Sequence, residues 1–582
     1  MFATYTPPGG HAIRNLLSEG IVNSDGTPGP HFAAAAQRQA LDTNVYQLNP
    51  LSQGPYNTLP QPNTAFLALP VGPCAADPAL CPDPGLSDSN QLLLFEGGTG
   101  QLPQTPDCRY PTNLPDGLFQ ITEPYPSAKC QSLLPVNPIN NTGDPVHRFF
   151  QMWQQGDCAV ANATPDNPSG CLHDLYTCVD VSVGWDVTGP PTTNQDTFQG
   201  GVAMGFYNIA RGDLPYLEQL AQTYSINDNY HQPFMGGTAI NSIAIGIGDL
   251  IFSTDSNGSP SVPSASRIEN PNPTPGTNNY YLNDVSIGLN PLVNIDVPYV
   301  NCSDGTQLGV APIMSYLHSL PYAVLNNGNC EANIYYAVND VAPAYNPDGS
   351  LAGDQNAIGP QTVPTIGEEL SAHGISWKYY GEGVSEVNAG LPKNLLYCGE
   401  CNPFQYSRAV MTSPLKNLIQ DISSFYEDVQ NNTLPAVSFI KPDALVDGHP
   451  GTSNPPLFEA FLEKLVGAVQ ANQKLWSSTV ILITFDESGG EYDSGYIQPI
   501  DFFGDGPRTV MIAVSPFSRA GFVDHTYTDH ASILKFIEHV WHLPPVSGRS
   551  RDNLPNPVVD GSSPYVPTNS PAIGDLTTML NM

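Results

Sequence analysis

The apolar run TVILITF stops on two adjacent carboxylates, Asp486 and Glu487, followed closely by Gly489 and Gly490. Neighbouring acids can hold a hard cation or work beside a phosphoryl group, and glycines next to them let backbone and ligand approach closely. Positions 480–483 are Val, Ile, Leu and Ile, the pattern of a strand buried on both faces of a parallel sheet. In such sheets ligands sit just beyond the carboxyl ends of the strands, where these acids fall. Taken alone, the motif is equally a strand end with solvated acids at a turn.

The acids need a sheet to position them, and the chain supplies its parts in alternation. PAVSFIKP, TVILITF and TVMIAVSP read as strands. Leu214, Leu217, Leu220, Ala221 and Tyr224 fall on one helical face. Phe458, Phe461, Leu465 and Val469 make a second stripe behind Asn454-Pro455-Pro456, and Ile533, Ile537, Val540 and Trp541 mark a last helix. Alternating strands and helices predict a parallel sheet covered on both faces. Two stretches, about 46–200 and 251–365, are rich in Pro, Asn and Asp and read as loop-rich insertions in a single domain spanning 1–582.

Composition bounds the function. Of 582 residues, 54 are acidic and 19 basic, a formal charge of −35 that disfavours nucleic acid and anionic membranes as partners. With 27 Tyr, 22 Phe and 5 Trp the chain is globular. Eleven cysteines, most in the loop-rich stretches, point to an oxidising, secreted or periplasmic setting. Seven lie between Cys74 and Cys178, Cys302 and Cys330 bracket another loop, and Cys398-Gly-Glu-Cys401 reads as a structural disulfide rather than a zinc half-site. No apolar stretch reaches the roughly 20 residues of a membrane span. Oligomeric state is left open.

The segments ITFDESGGEYDSGYIQP, GPRTVMIAVSPFSRAGFVDH, TDHASILKFIEHVWHLP and RSRDNLPNP follow one another from Ile483 to Pro557. Together they resemble the phosphoesterase family of bacterial C-type phospholipases and related acid phosphatases, in the alkaline-phosphatase-like superfamily. The resemblance implies a three-layer α/β/α sandwich with a mostly parallel sheet and long, disulfide-tied insertions. It also implies one divalent metal (Ca, Mn, Mg or Zn) bound by Asp486, Glu487 and Thr238, the last in the segment GGTAIN. Members open with a strand ending in Glu-Asn, both metal ligands, and no such strand precedes Phe2 here. A misassigned start is the expectation, with a gap in the sheet beside 480–485 and a metal site short of two ligands.

By the same resemblance Thr238 is the nucleophile. A hydroxyl needs a Lewis acid or a base beside it, and a helix start beneath it would receive phosphate oxygens; in isolation GGT is an ordinary helix start. Asn241 either donates to a phosphoryl oxygen or is a structural amide. His147 in Asp144-Pro-Val-His147, and His449 in Asp447-Gly-His449-Pro450, match family histidines that reach the phosphoryl group. His525 and His530 divide between site and capping roles. Ser488 and Ser494 stand where many relatives have His; Arg508 could clamp a phosphate bidentately, but an ion pair with Asp505 or Asp501 is the simpler account. The expected activity is metal-assisted hydrolysis of a small-molecule or lipid phosphate ester through a phosphothreonine. The alternative is a secreted, non-catalytic binding protein that keeps the fold but has lost the metal site.

Overall fold

The computed structural model describes residues 2–41, 44–60, 62, 82–95, 110–122, 144–183, 200–273, 298–353, 356–391, 396–450 and 453–582. Seven core strands are β1 (Ser225–Asn227), β2 (Trp377–Gly381), β3 (Ile419–Gln420), β4 (Val437–Lys441), β5 (Ile481–Thr484), β6 (Met511–Val514) and β7 (Phe522–Asp524). They form two sheets: a parallel one in the order β4-β2-β3, and a mixed one in the order β5-β6-β1-β7.

The two sheets share one layer, because their side chains alternate between the same two cores. Ile481, Ile483, Ile512, Val514, Tyr380 and Ile440 face one cluster. That cluster is closed by α2 (Pro215–Thr223), α5 (Ile422–Asn431) and α6 (Pro455–Ala471), with α1 (Phe149–Gly156) lying in a separate cluster. Val480, Leu482, Met511, Ala513, Tyr379 and Phe439 face the other, closed by α4 (Ile366–Ala372) and α7 (Ala531–Trp541), with Ile245 of α3 (Thr238–Ile247) packed against it while the rest of α3's buried face lies in the cluster of α1. Helices on both faces explain why TVILITF is apolar at consecutive positions. The predicted helical stripes are the buried faces of α2 and α6, and Asn454 caps α6 by accepting from the Leu457 amide at 3.1 Å. In α7, Ile533 and Ile537 are buried while Val540 and Trp541 are partly exposed.

One strand direction differs from expectation. β6 runs antiparallel to both β5 and β1. The connection between β5 and β6 contains no helix, so the chain turns back instead of crossing over, as a parallel neighbour would require.

Among the described residues, β4 and β5 are each paired on one side only, and their free edges face one another across a slot. The two edges run parallel, since Lys441 at the end of β4 and Asp486 just past β5 interact electrostatically. The slot belongs to a cavity of about 1240 Å³ lined by 437–441 and 478–485, with Phe2 and Ala3 also at its wall. β4 is half-buried throughout and β5 at every position but Ile483, while every residue of β6 is buried.

Disulfides join Cys158 to Cys171, Cys302 to Cys330 and Cys398 to Cys401; Cys74, Cys81, Cys108 and Cys130 lie outside the described residues. The stretch 144–183 is more ordered than a loop-rich insertion implies, since it forms α1, all of whose residues are buried, and a helix at Tyr176–Val183. No helix among the described residues is long and apolar enough to cross a membrane.

Candidate active site at the strand ends

β5 delivers Asp486 and Glu487 into a turn whose backbone is fixed from three sides. Gly489 and Gly490 have φ of +70° and +68°, the left-handed region that glycine enters without strain. A Cβ on Gly490 would stand 2.5 Å from the Val146 carbonyl oxygen, so glycine there lets the 144–147 segment lie against the turn. Gln232 accepts from the Ser488 amide at 2.9 Å. From behind, His530 Nε2 donates to the Asp486 carbonyl at 2.6 Å, and its Nδ1 accepts from the Tyr230 hydroxyl at 2.8 Å. Burial lowers the His530 pKa to about 4, so this histidine is neutral and positions the acids.

The two site histidines reach the same region on separate loops. His147 Nδ1 donates to the Pro145 carbonyl at 2.8 Å, which turns Nε2 toward Glu487 Oε1, 4.0 Å away. His449 Nδ1 donates to the Pro450 carbonyl at 2.6 Å, leaving its Nε2 as the outward nitrogen. Burial disfavours the charged form of His449, but Asp144 and Asp447 outweigh it and raise the pKa above the ordinary value. Lys441 bonds Asp447 at 2.8 Å and is likewise held charged against burial by Asp447 and Asp486. Burial pushes Glu487 up to about 7, with Asp486 adding to the rise and His147 opposing it. Glu491, also on the cavity wall, is pushed to about 7 by burial, with Glu487 and Asp144 contributing.

Thr238 is the first residue of α3 and opens on the same cavity. Asp340 accepts from the next amide, Ala239 N, at 2.8 Å, and thereby fastens the helix start. Asp340 carried no recognisable signal in the sequence. Asn241 has the structural role: its amide donates to the Gly236 and Gly237 carbonyls at 2.9 and 3.0 Å and its oxygen accepts from Phe234 N at 2.9 Å. All three bonds hold the Gly-Gly turn in front of Thr238, so Asn241 shapes the site without facing the cavity.

Thr238, His147, His449, Lys441, Asp486 and Glu487 therefore line one cavity. Several neighbours are tied elsewhere. His525 pairs with Asp228 at 2.8 Å, and Ser494 donates to Glu19 at 2.5 Å. Arg508 is in an ion pair, but with Asp493 at 2.8 Å; Asp501 and Asp505 are taken by the fully buried Arg551. A pair of half-buried carboxylates, one with its pKa raised, is a concentration of negative charge that suits a divalent cation. Two carboxylates and a hydroxyl are fewer donors than a hard cation takes, and among the described residues no three His, Cys, Asp or Glu side chains form a ready cage.

A family model described as the Phosphoesterase family matches residues 95–544. A non-hemolytic phospholipase C of Pseudomonas aeruginosa is 28% identical over 232 residues, which cover 32% of this chain and 31% of that protein. An acid phosphatase of Aspergillus niger is 28% identical over 194 residues, 32% of this chain and 43% of the relative. The matched stretch thus spans about a third to under half of these relatives' length. A Vibrio parahaemolyticus protein of the alkaline phosphatase superfamily is 8% identical, with a TM-score of 0.24 over 58% of this chain and 61% of that one.

Proposed function

This chain belongs to the phosphoesterase family, and from that premise we propose that it hydrolyses phosphate esters with Thr238 as the nucleophile. The observation that carries the reading is the meeting, on one cavity, of a helix-start hydroxyl, a half-buried acid pair, Lys441, and His449, whose charged form Asp144 and Asp447 favour. In the first half-reaction Thr238 Oγ1 attacks phosphorus, its proton passing to a neighbouring base. The P–O bond to the alcohol breaks, and the departing oxygen takes a proton from His449 Nε2. In the second half-reaction His449, now neutral, takes a proton from water, whose oxygen displaces Thr238 from phosphorus, and the departing Thr238 Oγ1 recovers its proton from the base that first took it. Lys441 stabilises the charge that gathers on the phosphoryl oxygens. Asp486 and Glu487 would hold one divalent cation with Thr238, and such an ion supplies Lewis acidity at the attacking hydroxyl.

The substrate class follows the family: a phosphomonoester or a phospholipid headgroup ester, hydrolysed outside the reducing cytoplasm, where the three disulfides persist. A second reading, a binding protein that retains the fold without turnover, is favoured by the incomplete donor set around Asp486 and Glu487. Thr238→Ala separates them. Assayed on 4-nitrophenyl phosphate and on a phosphatidylcholine analogue with divalent cation present, it should lose at least about a thousandfold in rate. Retention of a tenth of wild-type turnover excludes Thr238 as nucleophile. A wild-type chain that binds phosphate but turns over neither substrate supports the binding protein.

A further inference from the structure

The Cys398–Cys401 disulfide stands on the wall of the active-site cavity, which every residue from Leu396 to Cys401 lines. That wall is fastened to the loop carrying His449, since the Ala444 amide donates to the Leu396 carbonyl at 2.9 Å. The ring closed by this disulfide is the shortest of three. Its cysteines are 3 residues apart, against 13 for Cys158–Cys171 and 28 for Cys302–Cys330. Closing a short loop removes the least entropy from the unfolded chain, so this bond contributes least to folding and opens at the smallest cost. Cys398 is half-buried, while Cys158 and Cys171 are 1% and 2% exposed. The Cys401 amide donates to Cys398 Sγ at 3.2 Å, a bond that strengthens once that sulfur carries the charge of a thiolate.

The flanks of the turn are held without sulfur. The Tyr397 hydroxyl donates to Gln405 Oε1 at 2.8 Å and accepts from Asn402 Nδ2 at 3.0 Å. Gln405 Nε2 in turn donates to the Tyr345 carbonyl at 2.6 Å, and the Asn402 amide donates to the Gly399 carbonyl at 3.2 Å. Opening the disulfide therefore leaves the sheet and its helices standing. What it loosens is the Cys398-Gly399-Glu400 turn, which lines the cavity.

We infer that Cys398–Cys401 is a redox switch on ligand binding. Oxidised, it stiffens the cavity wall; reduced by a dithiol, it loosens that wall and weakens binding without touching the reacting groups. The inference rests on the hydrolase reading only for what the cavity binds. A thiolate of the reductant attacks Cys398 Sγ, the S–S bond breaks, and Cys401 Sγ leaves as a thiolate that takes a proton. The second thiol of the reductant then attacks its own sulfur in the mixed disulfide and releases Cys398 Sγ as a thiolate, which the Cys401 amide stabilises. The reductant ends as a disulfide and the chain as two thiols, a transfer of two electrons and two protons. In an oxidising setting the wall is stiff, and among dithiols it is not.

The test exposes the folded whole chain to rising dithiothreitol, alkylates free thiols with N-ethylmaleimide and maps the labelled peptides by mass spectrometry. Cys398 and Cys401 should be labelled at a lower reductant concentration than Cys158, Cys171, Cys302 and Cys330. At that concentration KM for 4-nitrophenyl phosphate should rise at least about threefold with kcat kept within about twofold, the pattern of lost uniform binding. The Kd of the non-hydrolysable 4-nitrobenzylphosphonate should rise in parallel, a readout that stands even if the chain proves not to be a hydrolase. Cys398→Ser with Cys401→Ser should reproduce the reduced values and no longer respond to dithiothreitol; should that variant fail to fold, the reduced wild-type chain decides. Labelling of another pair first, or reduction that moves neither KM nor phosphonate affinity, overturns the inference. So does loss of the near-ultraviolet circular dichroism on reduction, since the bond would then hold the fold rather than the wall.

Discussion

Gly489 and Gly490 offer a matched pair that isolates the contact between the acid turn and the His147 segment. Both have φ near +70°, so an alanine at either position carries the same left-handed backbone cost of about 1–2 kcal/mol. They differ in what the methyl meets. At Gly489 nothing lies within 4 Å, whereas at Gly490 the methyl stands 2.5 Å from the Val146 oxygen and 3.0 Å from that of Pro145. The closer contact is roughly 0.9 Å short of ordinary van der Waals distance, and both obstacles are backbone. Residues 145–147 must therefore retreat by most of an ångström, carrying His147 Nε2 away from Glu487. A shift of that size at a catalytic group costs about 100-fold in rate. Gly489→Ala should lose about 1–2 kcal/mol in urea denaturation and keep turnover within about threefold. Gly490→Ala should lose more stability and about 100-fold in kcat/KM on 4-nitrophenyl phosphate. Equal kcat/KM in the two variants would refute the view that Gly490 exists to admit the His147 loop.

Two further predictions concern the acids and the slot. Glu487 rises on folding from 4.5 to about 7, so the folded chain holds this proton over a pH range where the unfolded chain has released it. Stability should then fall as pH rises from about 4.5 to about 7, by on the order of 3 kcal/mol at most. Glu487→Gln should flatten that part of the urea-denaturation profile; an unchanged profile would mean that the acid pair is not under charge strain. The facing free edges of β4 and β5 should drive concentration-dependent association, visible in sedimentation velocity. A five-residue Val-rich strand fused ahead of Phe2, whose side chain lines the slot, should reduce association and raise the melting temperature. No change in either would show that the slot does not accept a strand.

What the sequence disclosed and what it withheld divide along physical lines. The end of β5 was legible because a strand covered by helices on both faces must be apolar at every position, and its termination on Asp486-Glu487 is then abrupt. The direction of β6 was not legible: TVMIAVSP has the same apolar signature in either orientation, and the helix-free connection before it sets the choice. Asn241 shows the same division at the level of one side chain. Its place four residues past Gly237 suits an amide near a phosphoryl group as well as one that braces a turn, and only the three bonds to 234–237 distinguish them. Arg508 was rightly read as ion-paired but with the wrong acid, because Asp501 and Asp505 are near in sequence while Asp493 is near in space. Asp340 left no trace at all, because it stands in an ordinary loop and only the fold brings it to the start of α3, 101 residues away. The reach of local pattern thus ends where chemistry depends on which strands are neighbours. In this protein the acid pair falls on the legible side of that line and its surrounding charge balance on the other.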